Sequence, residues 1–233
     1  MKIGIVQGRL SKAPINKLQH FPKKWEKEFN LARKLNLSFI EFFSERVFNK
    51  QNPIWSDHKI KKYLSLTKKN RLKVLNFCDD YVINNDIRKT KTLEYLKKLK
   101  KQLTKLKIKN FILPLYEKSN IDDKNFRQFI KIIKKINLIF KNSKINILIE
   151  ANISAETFAN INLHLKSKKL GFLYDTGNQF LNKKKDQYKE ILLFGKSIKH
   201  VHIKDRNLNG KNVKLGCGKV NFYKIFSVLR EIN

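Results

Sequence analysis

The chain has 233 residues, 41% of them apolar, which is enough for one sizeable core, and α/β barrels often use about 200–250 residues as a single domain. No apolar run approaches the roughly 18 residues of a membrane span, and the opening MKIGIVQG turns polar too early for a signal peptide. The formal charge of +33 would favour nucleic acid or an anionic surface, but the 52 basic residues include 8 arginines, leaving 44 lysines.

Phosphate-gripping surfaces use the planar arginine fork. Lysines spread over every helix-like segment read instead as solvated faces, so nucleic acid is not the expected partner. Two cysteines, Cys78 and Cys217, lie far apart without motif spacing and fit a reduced, cytoplasmic protein with no disulfide. No Pro-, Gly- or Ser-rich linker divides the chain, so residues 1–233 are expected to form one domain.

In chain order, Lys2–Val6 is a short apolar strand that ends in Gln7, Gly8, Arg9, Leu10 and Ser11. Polar residues at a strand's C-terminal end are where an α/β enzyme places substrate contacts; the plainer alternative is a turn that Gly8 permits. Trp25–Leu35 has helical apolar spacing, Ser38–Phe43 is a second strand with Glu41 inside it, and residues 56–70 form a helix capped by Ser56 or Asp57. Strand Lys73–Cys78 ends in Asp79 and Asp80, residues 89–107 form a lysine-faced helix, and Asn110–Leu115 is a fourth strand. A helix over Asp122–Phe140 precedes strand Ile145–Glu150. Then come a helix near 154–167, strand Gly171–Asp175, a helix near 185–195, the strand KHVHIKDR (Lys199–Arg206), a glycine-marked loop and a helix over Val220–Ile232.

Seven consecutive strand–helix units at this length point to a parallel (β/α)8 barrel of the TIM type. No GxGxxG follows the first strand, which argues against a dinucleotide fold. The eighth strand is missing: the chain stops at Asn233 where it should begin, leaving an incomplete barrel, an open one, or a miscount. The two unpaired edges this implies would favour association, as in a homodimer, or instability.

Three strands deliver Glu150, Asp175 and His202 at or near their C-terminal ends, one set of oxygen and nitrogen ligands for a divalent cation. In KHVHIKDR the period of two sends His200, His202 and Lys204 to one face and Val201, Ile203 and Asp205 to the other. A buried polar row is costly unless each group finds a partner or a metal. A lone His202 would more often be a satisfied core residue; its company at neighbouring strand ends tips the balance towards a ligand. Glu41, a carboxylate inside an apolar strand, is either buried and paired or solvent-facing.

The segments IGIVQGRLS, WEKEFNLARKLN, SFIEFF, ILIEANISAE, LYDTGN, HVHIKDRN and LGCGKVNF, in this order over nearly the whole chain, resemble the xylose isomerase-like TIM-barrel superfamily. The likeness is to its bacterial sugar phosphate isomerase/epimerase branch. It implies that Glu150 is a metal ligand and acid/base, that Asp175 and His202 complete the ligand set present, and that Glu156 is a substrate-contacting carboxylate and second catalytic candidate. By the same resemblance Asn178 stands where the ketose epimerase branch has a substrate-binding histidine, and His200 and Arg206 face substrate. Gln7, Arg9, Glu41 and Lys204 are further pocket candidates. The family's fourth ligand, on strand eight, has no counterpart.

The implied activity is a metal-dependent isomerase or epimerase of a sugar or sugar phosphate, moving a proton next to a carbonyl through an enediolate with Mn, Mg, Co or Zn. Two alternatives stand beside it. An endonuclease IV-like phosphodiesterase on DNA suits the charge, but its three-metal site needs more than the 5 histidines present. A non-catalytic metabolite-binding barrel suits the missing strand. Readings without a functional role also remain: Glu156 would be stabilised at a helix start by the dipole alone, and Cys78 reads as a small core residue.

Overall fold

The computed structural model describes residues 2–12, 14, 20–181 and 186–232. It has two compact units, Met1–Ser119 with Lys135–Ile147, and Asn120–Lys134 with Leu148–Asn233. The seven strands of the main sheet follow chain order, the order of a (β/α)8-type fold of the α/β class.

The first unit carries β1 (Gly4–Val6), α1 (Lys27–Lys34), β2 (Phe39–Ser44), α2 (Asp57–Lys69), β3 (Asn76–Asp79), a one-turn α3 (Tyr81–Asn84), α4 (Thr90–Lys105) and β4 (Asn110–Pro114). The strands pair in parallel, Val6 beside Glu41, Ser44 beside Asp79 and Cys78 beside Ile112. β2 and β3 are buried throughout, as expected of parallel strands covered on both faces. At the N-terminal ends of the third, fourth and fifth strands side-chain amides join: Asn110 Nδ2 donates to Asn76 Oδ1 at 2.9 Å and Asn146 Nδ2 to Asn110 Oδ1 at 3.0 Å, a cross-strand ladder. Trp25 stacks on Tyr63 at 5.5 Å and Phe42 on Phe77 at 5.4 Å. Ser56 caps α2 by accepting from Lys59 N, and Leu96, Leu99 and Leu103 of α4 are fully buried, both as the sequence predicts.

α5 (Phe126–Phe140) and β5 (Asn146–Glu150) follow. α5 starts four residues later than expected, because Asp122 Oδ1 accepts from Lys124 N and Asn125 N; the aspartate shapes a turn ahead of the helix. The second unit continues with α6 (Ala155–Leu165), β6 (Leu170–Asp175), a short α7 (Thr176–Phe180), α8 (Gln187–Phe194), β7 (Ile198–His202) and α9 (Phe222–Glu231). The expected start of α8 at residue 185 lies outside the described residues. Phe172 stacks on Phe194 at 4.1 Å, with Phe158 edge-on to Phe172 at 5.4 Å.

One boundary differs in a way that matters. β7 ends at His202, and Asp205–Arg206 instead form β8, antiparallel to β9 (Asn212–Val213). The strand period therefore stops before Asp205. Val201 and Ile203 are only half-buried, so the apolar row of KHVHIKDR is less covered than its pattern suggests. No helix among the described residues is long and apolar enough to cross a membrane, and among the described residues neither Cys78 (buried) nor Cys217 (exposed) is in a disulfide.

Candidate functional site

Glu150, Asp175 and His202 are each the last residue of their strand. The runs before Glu150 and Asp175, ILI and LGFLY, are buried as strand cores, so each carboxylate emerges where its strand leaves the sheet. Asp175 pairs in register with His202. Glu150 is 4% exposed and Asp175 1%. His202 Nδ1 lies 3.9 Å from Glu150 Oε2 and 3.9 Å from Asp175 Oδ2. One ligand atom from each residue falls within 4.8 Å of the others.

The donor set fits a divalent cation. Two buried carboxylates side by side repel and lose hydration, a cost that positive charge beside them offsets. Oxygen and imidazole ligands without thiolate suit Mn, Mg, Co or Zn.

Neighbouring side chains build outward from this cluster. Lys204 Nζ stands 2.6 Å from Asp175 Oδ2. Asn178 Nδ2 donates to Glu150 Oε1 at 3.3 Å, and Arg206 Nη2 donates to Asn178 Oδ1 at 2.8 Å. Arg206 Nη1 also donates to Gly210 O in the β8–β9 turn. A chain of contacts thus runs from Glu150 through Asn178 to the guanidinium. His200 meets His202 edge-on, with ring centroids 5.3 Å apart. Glu156 sits exposed in the first turn of α6, where the dipole favours a carboxylate.

The remaining candidates belong to the first unit. Gln7 is buried and its amide is occupied: Nε2 donates to Glu28 Oε2 at 2.6 Å and to Trp25 O, while Tyr63 OH donates to Oε1 at 2.9 Å. Glu28 also accepts from Gly8 N and Leu10 N, so this helix carboxylate organises the turn after β1. Arg9 is exposed; burial of its inner part lowers its pKa and the charge of Asp80 opposes that. Glu41 is 1% exposed in mid-strand, on the buried side of the alternative left open by the sequence.

Three polar features escaped sequence reasoning. Asp79 is fully buried, and its Oδ1 accepts from Ser44 Oγ and from Tyr95 OH at 2.9 Å. Burial pushes its carboxyl up to about 7, with Ser44 and Tyr95 opposing and the Asp80 charge assisting. Thr176 clamps the chain after β7: Lys204 N donates to Thr176 Oγ1 at 2.9 Å, and that hydroxyl donates to Lys204 O at 2.8 Å. Asp205 gathers the loop before α9, accepting from Arg206 N, Gly216 N, Gly218 N and Val220 N. The doubled aspartate at the end of β3 and the HIKD segment were visible as letters, but which groups an aspartate collects is a tertiary fact.

The seven-strand order and the carboxylate–imidazole cluster define an α/β barrel-type protein with a polar centre at its strand ends. The chain belongs to the xylose isomerase-like TIM-barrel family, whose model matches residues 29–233. A search of curated proteins finds no match. Among solved structures, D-psicose 3-epimerase with D-tagatose from Clostridium cellulolyticum H10 superposes with a TM-score of 0.75 at 14% identity, covering 100% of this chain and 81% of that one. The IOLI protein with a binding zinc atom gives 0.72 at 15%, covering 100% and 86%. A 3-keto-D-glucoside 4-epimerase from E. coli, in apo form, gives 0.72 at 14%, covering 100% and 88%. At these identities the likeness is one of fold.

Proposed function

We propose that this chain is a metal-dependent isomerase or epimerase of a sugar or sugar phosphate, working in the cytoplasm. The observation that carries the proposal is the convergence of Glu150, Asp175 and His202 at three strand ends. Sugar epimerases among proteins of the same fold support the substrate class, and the IOLI protein with its zinc atom supports the metal. A divalent ion held by these three residues would supply Lewis-acid polarisation of the substrate carbonyl and the hydroxyl beside it.

The chain's own groups would do the rest. Glu150 takes the proton from the carbon next to the carbonyl; the C–H electron pair becomes the double bond of an enediolate, and the carbonyl oxygen takes up the displaced pair. Return of the proton to the former carbonyl carbon, with the neighbouring hydroxyl proton passing to the former carbonyl oxygen, isomerises; protonation on the opposite face of the original carbon, with the carbonyl re-formed, epimerises. Epimerisation calls for a second acid on that face, for which Glu156 is the candidate. Asn178, hydrogen-bonded to Glu150 Oε1, fixes the orientation of the base. Arg206 and His200 supply donors for substrate oxygens, and the buried setting of the carboxylates strengthens each of these contacts.

The test is deuterium incorporation from D2O into a panel of ketoses and their phosphates, with Mn²⁺ added. Wild type is expected to label at least one substrate at the carbon beside the carbonyl. Glu150→Gln and His202→Ala are expected to lose about 10²-fold or more in rate. Equal exchange by both variants and wild type would sink the assignment.

A further inference from the structure

We infer that Lys204 is an internal counter-ion that competes with a divalent cation for Asp175, so that displacement of its ammonium sets the metal affinity of the site. The inference rests on the metal-centre reading above and adds a role for a residue outside the ligand set.

Asp175 has two oxygens with different duties. Oδ1 accepts from Gly177 N at 3.0 Å and from Asn178 N at 2.9 Å, which commits its lone pairs to capping α7. Oδ2 is the oxygen that faces His202 Nδ1 at 3.9 Å and Lys204 Nζ at 2.6 Å. A cation bound by Glu150, Asp175 and His202 would need that same oxygen. Two positive charges at one buried carboxylate oxygen repel strongly, so each excludes the other.

The lysine is held in place by more than its charge. The Thr176 hydroxyl grips the backbone of Lys204 at both N–H and C=O, and Thr176 is fully buried. Gly177 lets the chain come this close: a Cβ there would lie 2.8 Å from Lys204 Cβ. Its backbone is thus fixed beside Asp175, while its side chain is 37% exposed and has an outward path. Without metal, the ammonium offsets the cost of burying Asp175 beside Glu150. With metal, the ammonium swings out, and the binding energy includes the loss of that ion pair.

The experiment is Mn²⁺ calorimetry on chelator-treated wild type, Lys204→Met, Lys204→Gln, Lys204→Arg and His202→Ala, with thermal melting of each in chelator and in Mn²⁺. Both neutral variants are expected to bind Mn²⁺ at least tenfold more tightly than wild type, Lys204→Arg to bind like wild type, and His202→Ala to lose the site. In chelator the neutral variants should melt lower than wild type, and Mn²⁺ should raise their Tm by more. Binding seen only in the neutral variants would also support the inference. If wild type binds through His202 but neither neutral variant binds more tightly, the counter-ion role is overturned and the metal centre stands. If neither wild type nor the neutral variants bind, the metal centre itself falls, and the inference with it.

Discussion

Asp79 shows how one buried side chain ties pH to stability. It is sealed at the end of β3 against Ser44 and Tyr95, beside Asp80 and Tyr81, and Oδ2 has no hydrogen-bond partner among the described residues. Burial raises its carboxyl from 3.8 to about 7. The folded state therefore holds a proton that the unfolded chain has released between those values. Its contribution is complete below about pH 4, declines as pH rises to about 7, and is lost above that, a change of up to about 4 kcal/mol. We expect urea unfolding of wild type to show this decline relative to Asp79→Asn, which keeps the shape and cannot titrate. Parallel pH profiles for the two proteins would refute it.

At the scale of elements, the loop between β9 and α9 depends on one carboxylate. Asp205 is 2% exposed and accepts four backbone N–H groups from residues 206 to 220. Burial alone would raise its carboxyl, but these donors outweigh burial and hold it below 3.8. Gly218 is required by the same arrangement, since a Cβ there would overlap the Asp205 carboxylate. Asp205→Ala and Gly218→Ala are each expected to cost about 1–3 kcal/mol, because the first removes and the second displaces the acceptor of four N–H groups, one of them, Val220 N, buried. The double variant should cost less than the sum, as both break one network. Denaturant unfolding of the three variants checks this; strict additivity would show that the two residues act separately.

Across the whole molecule, charge is sorted by depth. Among the described residues Glu28, Glu41, Asp79, Asp80, Glu150, Asp175 and Asp205 are buried, so 12 of the 19 acids remain nearer the surface to face the 52 basic residues. Surface pairs such as Lys105–Asp57 and Lys62–Glu26 contribute little. Self-repulsion among the remaining lysines should dominate. The expected outcome is a Tm that rises as NaCl goes from about 10 to about 300 mM, over which the Debye length falls from about 30 to below 8 Å. A Tm that fell with salt would mean that ion pairs outweigh repulsion.

What the sequence determined by itself was the alternation of elements and the identity of the strand-end residues. Period-two and period-3.6 patterns are local, so NILIE, LGFLYD and the leucines of α4 announce strand, strand and helix without knowledge of their neighbours. The carboxylates of Glu150 and Asp175 were legible for the same reason: each is the first polar residue after an apolar run. The short helices α3 and α7 were not legible, since a single turn has no period to detect, and neither was the end of β7 at His202. That end is decided by the Thr176 clamp and by the loop donors that Asp205 collects, and those contacts join residues 11 to 28 positions apart. Only tertiary structure could assign Lys204 to Asp175, occupy the Gln7 amide with Glu28 and Tyr63, and bury Asp79. In each case the deciding quantity is which opposite charge or hydrogen-bond partner lies within about 3 Å once water is excluded, and no linear pattern encodes that distance.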